Sequence, residues 1–176
     1  MPISRQIAEL HLGRIWVESE PGEGSQFHFT VRCPVIRRQQ ADEAELRMTV
    51  AKLRGTRVLV VDDNDSNCRI LDETLKQWRM RPFVTRTPEE ALDELRRSIE
   101  TRRPYPVVLV DALMPDVDGF MMVKRARKEG LLSNSAILML SSSDRQTFRD
   151  RCDDLAIDTY LEKPVSQSDL LDAVTR

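Results

Sequence analysis

Acidic, hydroxyl and basic side chains stand directly after four aliphatic runs of the sequence. Asp62 and Asp63 follow one run, Asp111 follows a second, Ser141 opens a triple-serine segment after a third, and Lys163 comes shortly after a fourth. Any one of these residues alone would be an ordinary turn or cap residue. Three carboxylates that converge repel one another unless a cation neutralises them, and hard oxygen ligands select Mg²⁺ or a similar ion. Together with a lysine and a hydroxyl group, such a centre suits the binding of a phosphoryl group.

These residues lie in a part of the sequence where short predicted strands alternate with predicted helices. Each strand is an aliphatic run that is polar only at its ends, as expected for strands buried on both faces. This alternation predicts an α/β fold with a doubly wound parallel sheet. The flavodoxin-like order 2-1-3-4-5 is one of the two common solutions for such a sheet, and it is the order we expect. In such sheets sites form at the carboxyl ends of the strands, which would bring the residues above together. The predicted strands cover 57–61, 82–85, 106–110, 136–140 and 159–161.

Composition excludes several classes of function. The chain has 176 residues, and its 27 Lys and Arg against 29 Asp and Glu leave a net charge of −2, which argues against nucleic-acid binding through phosphate neutralisation. No apolar run approaches the length of about 20 residues that spans a bilayer, and no secretion signal is apparent. Cys33, Cys68 and Cys152 lie too far apart for a CxxC site, so we expect a reducing, cytoplasmic location without membrane contact by this chain.

The first part of the chain does not share the regular alternation of strands and helices found in the rest. Residues 3–12 have apolar residues at helical spacing, and a short hairpin around Pro-Gly-Glu-Gly-Ser follows. Phe27 and Phe29 alternate in its second strand, which predicts that they face a core and that His28 faces outward. Residues 34–54 are highly charged without a sustained apolar stripe. We therefore interpret 34–54 as a charged linker, in part helical, between residues 1–33 and a domain over 55–176.

Four segments of that domain, VLVVDDNDSN, VVLVDALMPDVDG, ILMLSSS and TYLEKP, resemble the motifs of response-regulator receiver domains. The resemblance implies that Asp111 is the phosphoacceptor and that Ser141 and Lys163 bind the phosphoryl group. It also implies a Mg²⁺ or Mn²⁺ site made by Asp62, Asp63, Asp111 and the backbone carbonyl of Leu113. The Lys163–Pro164 bond is expected to be cis, a conformation found almost only before proline.

The same resemblance assigns further roles. Ser141 and Tyr160 occupy the positions of the family's conformational switch. Leu113, two positions beyond the acceptor, replaces the polar residues that help to position a hydrolytic water, so we hypothesise a long-lived phosphoryl-aspartate. Ala156 stands where glycine is frequent, a change for which the sequence suggests no chemical consequence.

Residues 1–33 resemble the last helix and hairpin of the ATP-binding domain of sensor histidine kinases, through ISRQIAEL and GRIWVESEPGEGSQFHFTV. A kinase segment followed by a receiver is the layout of a hybrid sensor kinase, whose full-length form could be membrane-anchored. The segments that would bind ATP and the phosphoacceptor histidine are absent from this sequence. We therefore expect a receiver that catalyses only its own phosphorylation and dephosphorylation.

One inference concerns a partner surface. The first helix of the domain has a predicted buried stripe at Cys68, Leu71, Leu75 and Trp78, and Ile70 falls off that stripe. An exposed apolar residue beside a site can mark a docking surface. We hypothesise that Ile70 and Asn67 contact the helix of a histidine-phosphotransfer partner.

Two classes of function follow from these patterns. The first is a phosphorelay receiver that accepts a phosphoryl group from a histidine kinase or phosphotransfer protein, with small phosphodonors as further sources. The second is a receiver-like interaction module that docks partners without phosphorylation. The clustered carboxylates favour the first, because docking does not need them.

Overall fold

A computed structural model describes residues 2–34, 40–114, 118–141, 145–157 and 159–175, and the chain divides into two compact units, Met1–Glu43 and Ala44–Arg176. In the first unit, helix α1 (Pro2–Leu10) precedes strands β1 (Arg14–Glu20) and β2 (Gly24–Thr30), which pair antiparallel from Arg14↔Thr30 to Glu20↔Gly24. Gly13 fits beside this pair because a Cβ there would lie 1.7 Å from the Thr30 carbonyl oxygen. The predicted helix and hairpin are thus present.

The prediction that Phe27 and Phe29 face a core is wrong for this structure. Their exposed fractions are 63% and 68%, whereas His28 is half-buried and stacks on Trp16 with the ring centroids 5.0 Å apart. Alternation along β2 correctly separates the two faces of the hairpin. It does not determine which face the rest of the unit covers.

The segment interpreted as a linker contains a helix, α2 (Gln40–Leu53). Its last turn belongs to the second unit, because Leu53 is buried and Val50 packs against the same apolar cluster. These two residues of the last turn supply the apolar contacts with the core, whereas the rest of the segment is highly charged, so it shows no sustained apolar stripe. Residues 35–39 of the segment lie outside the described residues.

The second unit is a five-stranded parallel sheet with helices on both faces. The strand order is β4-β3-β5-β6-β7, which confirms the predicted 2-1-3-4-5 arrangement. In chain order its elements are β3 (Arg57–Val61), α3 (Asp65–Gln77), β4 (Arg81–Thr85), α4 (Pro88–Glu100), β5 (Val107–Asp111), α5 (Gly119–Lys128), β6 (Ala136–Ser141), α6 (Arg145–Asp154), β7 (Thr159–Glu162) and α7 (Gln167–Thr175).

Two aliphatic cores hold the sheet, one on each face. Successive residues of β3 alternate between them: Val58 and Val60 join α2, α3 and α7, while Leu59 and Val61 join α4, α5 and α6. All four of these β3 side chains are completely buried. The short aliphatic runs are strands because each can bury both of its faces in this way.

Side-chain caps fix where the helices begin at the edge that carries the candidate site. The Asn64 carboxamide accepts from Ser66 N and Asn67 N at the start of α3, and the Thr87 hydroxyl accepts from Glu90 N at the start of α4. Ser166 caps α7 by accepting from Asp169 N, 3.1 Å away. Among the described helices, none is both long and apolar enough to cross a bilayer.

Candidate functional site

The carboxyl edge of the sheet brings the predicted acidic residues together. Asp62 and Asp63 follow β3, and Asp111 is the last residue of its neighbour β5. One carboxylate oxygen from each of the three lies within 4.8 Å of the others. Asp62 and Asp111 are buried and Asp63 is exposed, so the cluster opens to solvent on one side. Such an all-oxygen set with an open side suits a hard divalent cation that keeps part of its water shell.

Lys163 bridges two of these carboxylates. Its Nζ donates to Asp111 Oδ2 at 2.7 Å and to Asp62 Oδ2 at 2.9 Å. The Lys163–Pro164 peptide is cis, as expected, and Lys163 N donates to the Ser141 carbonyl. Burial lowers the pKa of Lys163, but the hydrogen bonds to Asp111 and Asp62 offset this effect and the net pKa lies above its usual value. The ammonium is therefore a fixed positive charge beside Asp111.

Asp111 is a buried carboxylate with few donors. Lys163 donates to Oδ2, and Leu113 N donates to Oδ1 at 3.2 Å. Desolvation raises its pKa, and the bonds from Lys163 and Leu113 N oppose that shift without cancelling it. A carboxylate so weakly solvated is a better nucleophile than one in water. The Leu113 side chain points to solvent, with 53% of it exposed.

The Asp62 carboxylate accepts more hydrogen bonds than that of Asp111. It is fully buried, its Oδ1 accepts from Asn64 N at 2.9 Å, and its Oδ2 accepts from Lys163. The Asn67 amide nitrogen lies 3.2 Å from each of the two oxygens. Sequence reasoning assigned Asn67 to a partner surface and missed this contact. The spacing of Asp62 and Asn67 across the start of α3 was the available signal.

Ser141 lies on β6, the strand next to β5, and Tyr160 lies on β7, the strand beyond β6. Ser141 is buried at the end of β6, directly after the residue that pairs with Asp111. Tyr160 lies on β7, half-buried, with its ring 5.6 Å from that of Phe148 in an edge-on arrangement. Phe148 in turn packs edge-on against Phe120. The remaining serines of the triple-serine segment lie outside the described residues.

The two residues assigned to docking lie on one groove beside the carboxylates. Ile70 is 61% exposed, whereas the predicted stripe of Cys68, Leu71, Leu75 and Trp78 is buried. The groove runs between α3 and the start of α7 and has a volume of about 390 Å³; its lining includes Asn67, Ile70, Leu71, Thr74, Pro164 and Leu170.

Comparison with known proteins agrees with this geometry. A family model described as the response regulator receiver domain matches residues 58–175. The chain belongs to this receiver family. Its five-stranded sheet and helices are the flavodoxin-like α/β fold, and its relatives are proteins of two-component phosphorelay signalling.

The similar proteins include both long kinases and isolated receivers. Hybrid signal transduction histidine kinase L of Dictyostelium discoideum is 28% identical over 143 residues, which are 80% of this chain but 8% of that kinase. Two-component response regulator ARR12 of Arabidopsis thaliana is 33% identical over 117 residues, 66% of this chain and 18% of that protein. The structure of the chemotaxis protein CheY4 of Vibrio cholerae has a TM-score of 0.61 at 25% identity, covering 68% of this receiver chain and 96% of CheY4.

Proposed function

We propose that this receiver accepts a phosphoryl group from phosphohistidine onto Asp111 and then switches conformation or passes the group to a phosphotransfer partner. The observation that carries the proposal is the convergence of Asp62, Asp63 and Asp111, with Lys163 bonded to two of them. Packing alone does not call for three carboxylates at one edge, since their mutual repulsion destabilises the fold unless a cation is present.

The chemistry follows from the positions of the side chains. Asp111 Oδ attacks phosphorus in line as the bond to the donor nitrogen breaks, and negative charge spreads over the three equatorial oxygens. Lys163 donates to one of these oxygens, and the Ser141 hydroxyl is the second donor from the chain. Asp62, Asp63, Asp111 and the Leu113 carbonyl would hold Mg²⁺ or Mn²⁺, which supplies further charge neutralisation when bound.

The product couples the site to Tyr160. An acyl phosphate adds a charge of about −1.5 to −2 at the end of β5, and a hydroxyl within reach is drawn toward it. Movement of Ser141 would open space between β6 and α6, into which the Tyr160 ring would turn. The edge-on contact of Tyr160 with Phe148 supports this role, because a ring at that position can rotate without leaving the apolar cluster.

The partner is a histidine kinase or a histidine-phosphotransfer protein, with small acyl phosphates as possible further donors. Its helix would lie in the groove beside Ile70 and Asn67, which ends at Lys163 and is therefore open to the reacting atoms. We place this exchange in the cytoplasm, where ATP maintains the phosphohistidine donors.

We also propose that the first unit is the end of a kinase ATP-binding domain. The order of a helix followed by an antiparallel hairpin agrees with that resemblance. As the chain spans 8% of that kinase, the activity of a whole kinase is not attributed to it.

Intact-protein mass measurement with acetyl phosphate and Mg²⁺ tests the proposal. We expect one phosphoryl adduct on the unmodified chain, no adduct on Asp111→Asn, and loss of the adduct when EDTA is present from the start. The exposed Asp153→Asn is the matched control and should be phosphorylated normally. Failure of the unmodified chain with acetyl phosphate and also with a competent phosphotransfer protein would favour the alternative function, an interaction module that works without phosphorylation.

The docking surface has its own test. Ile70→Glu should lower the rate of transfer from a phosphotransfer protein by about tenfold or more, since a charge would be buried in an apolar contact, and should leave the reaction with acetyl phosphate unchanged. Ile99→Glu is the control, because Ile99 is 49% exposed near the end of α4, outside the groove. Equal rates for both variants would remove the docking assignment.

A further inference from the structure

Asn67 contacts the metal-binding carboxylates through Asp62. Its amide nitrogen lies 3.2 Å from both Oδ1 and Oδ2 of Asp62. Asn64 N donates to Oδ1 at 2.9 Å, and Lys163 Nζ donates to Oδ2 at 2.9 Å. The carboxylate therefore has donors on both oxygens and a third donor between them. Of these three donors, Asn64 contributes a backbone N–H, Lys163 a cationic side chain and Asn67 a neutral side chain.

The neutral charge of the Asn67 amide matters because the Asp62 carboxylate interacts with Lys163 and would also bind the divalent cation. Lys163 is bonded to Asp62 and Asp111 at once, so its ammonium competes with a divalent cation for the negative charge of Asp62. A second cationic donor would lower the negative charge available to Mg²⁺. An amide holds the orientation of the carboxylate and leaves its full charge in place.

We infer that Asn67 is a positioning residue: it fixes the orientation of Asp62 and thereby sets the affinity of the carboxylate cluster for its divalent cation. The inference rests on the proposed function, since it concerns the same site. It differs from the docking role, in which Asn67 would contact only a partner protein. Groups that orient a ligating carboxylate typically change metal affinity by about 10- to 100-fold when removed.

The two roles separate in reactions without a partner protein. Titration with Mn²⁺, followed by the electron paramagnetic resonance signal of the free ion, measures cation affinity directly. For Asn67→Leu we expect the Mn²⁺ dissociation constant to rise about tenfold. Phosphorylation by acetyl phosphate should need a correspondingly higher Mg²⁺ concentration and should approach the unmodified rate at saturation. A docking residue would change neither quantity.

Gln77→Leu is the matched control, because it makes the same amide-to-apolar change on an exposed residue at the other end of α3. A double-mutant cycle with Asp62→Asn adds a second test. If Asn67 acts through Asp62, Asn67→Leu should have no further effect on Mn²⁺ affinity once the carboxylate is gone. If Asn67→Leu lowers the melting temperature too far for titration, Asn67→Ser removes the same amide and carries the same expectation.

Each result decides the inference. A Mn²⁺ dissociation constant for Asn67→Leu within twofold of the unmodified chain would overturn it, as would a defect seen only with a phosphotransfer protein. If the effects of Asn67→Leu and Asp62→Asn on Mn²⁺ affinity were fully additive, Asn67 would not act through Asp62. If the unmodified chain bound no Mn²⁺ and formed no adduct, the proposed function itself would fail, an outcome distinct from failure of the variant alone.

Discussion

Asp111 combines burial with few hydrogen bonds, and this combination has a cost for stability. Desolvation raises its pKa, so the protonated form is favoured in the fold. The protonated Asp111 therefore stabilises the fold fully when the pH is below 3.8, the ordinary pKa of an aspartate. This stabilisation is lost as the pH rises through the raised pKa of Asp111 in the folded protein. A reactive carboxylate is here also a destabilising one.

We accordingly predict that Asp111→Asn is more stable than the unmodified chain at pH 7 without divalent cations. The gain should be about 1 kcal/mol, or about 3 °C in melting temperature, and should vanish near pH 3. Thermal unfolding followed by circular dichroism at both pH values measures it, with Asp153→Asn as an exposed control. A lower melting temperature for Asp111→Asn at pH 7 would contradict the argument.

Leu113 is an apolar residue at a position open to attacking water. Its side chain is 53% exposed beside the acceptor but offers no hydrogen bond to orient a nucleophile. We predict that the phosphoryl group on Asp111 survives longer than seconds and that Leu113→Asn shortens its lifetime about tenfold, equivalent to about 1.4 kcal/mol of transition-state stabilisation. Loss of the adduct over time by mass measurement checks this. Met121→Asn, the same change at an exposed apolar residue of α5, should have no effect.

Ala156 has a backbone conformation that its side chain disfavours. Its φ of 44° lies in the left-handed region, where a Cβ costs about 1 kcal/mol, and this explains why glycine suits the position. Sequence reasoning attached no consequence to this alanine. The cost is structural and lies outside the chemistry of the site.

We predict that Ala156→Gly stabilises the protein by about 0.5–1 kcal/mol in urea-induced unfolding, because glycine removes this steric conflict. Ala51→Gly in the last turn of α2 should have the opposite sign and cost about 0.5 kcal/mol, since glycine is a poorer helix former than alanine. The paired signs are the test, and destabilisation by both substitutions would refute the strain at Ala156.

At the scale of elements, the end of α2 belongs to the receiver. Leu53 is 6% exposed and packs with Val58, Leu75 and Trp78, so the folded unit begins before β3. Leu53→Ala should cost about 2 kcal/mol through lost burial and the cavity left behind. Met48→Ala on the same helix, where Met48 is 67% exposed, should change the free energy of unfolding by less than about 0.5 kcal/mol. Equal effects in denaturant unfolding would place residues before 55 outside the domain after all.

At the scale of the whole molecule, a ligand of the acidic cluster should stabilise one unit selectively. Beryllium fluoride with Mg²⁺ imitates an aspartyl phosphate and would bind only the folded receiver. At 100 times its dissociation constant it should raise the stability of the Ala44–Arg176 unit by about 2.7 kcal/mol. Differential scanning calorimetry should show a higher transition temperature for the unmodified chain. The same addition to Asp111→Asn should leave the transition unmoved; an equal rise there would mean that the anion binds elsewhere.

The sheet and its acidic edge can be derived from the sequence alone. Short aliphatic runs become strands buried on both faces, and the carboxyl ends of parallel strands share one edge, so Asp62, Asp63, Asp111, Ser141 and Lys163 had to lie near one another. The same alternation of strands and helices left two common strand orders, of which the sheet has 2-1-3-4-5. These features depend on local pattern and on chain topology, both of which can be derived from a single sequence.

The contacts between individual side chains depend instead on how the helices and strands pack together. The structure shows Asn67 on Asp62, Leu53 in a core and Phe27 exposed. Periodicity distinguishes an apolar face from a polar one, but it does not specify what covers that face. A hydrogen bond across the start of a helix, or the burial of one leucine in a charged segment, depends on rotamers and on distant neighbours, which appear only when the elements are packed together.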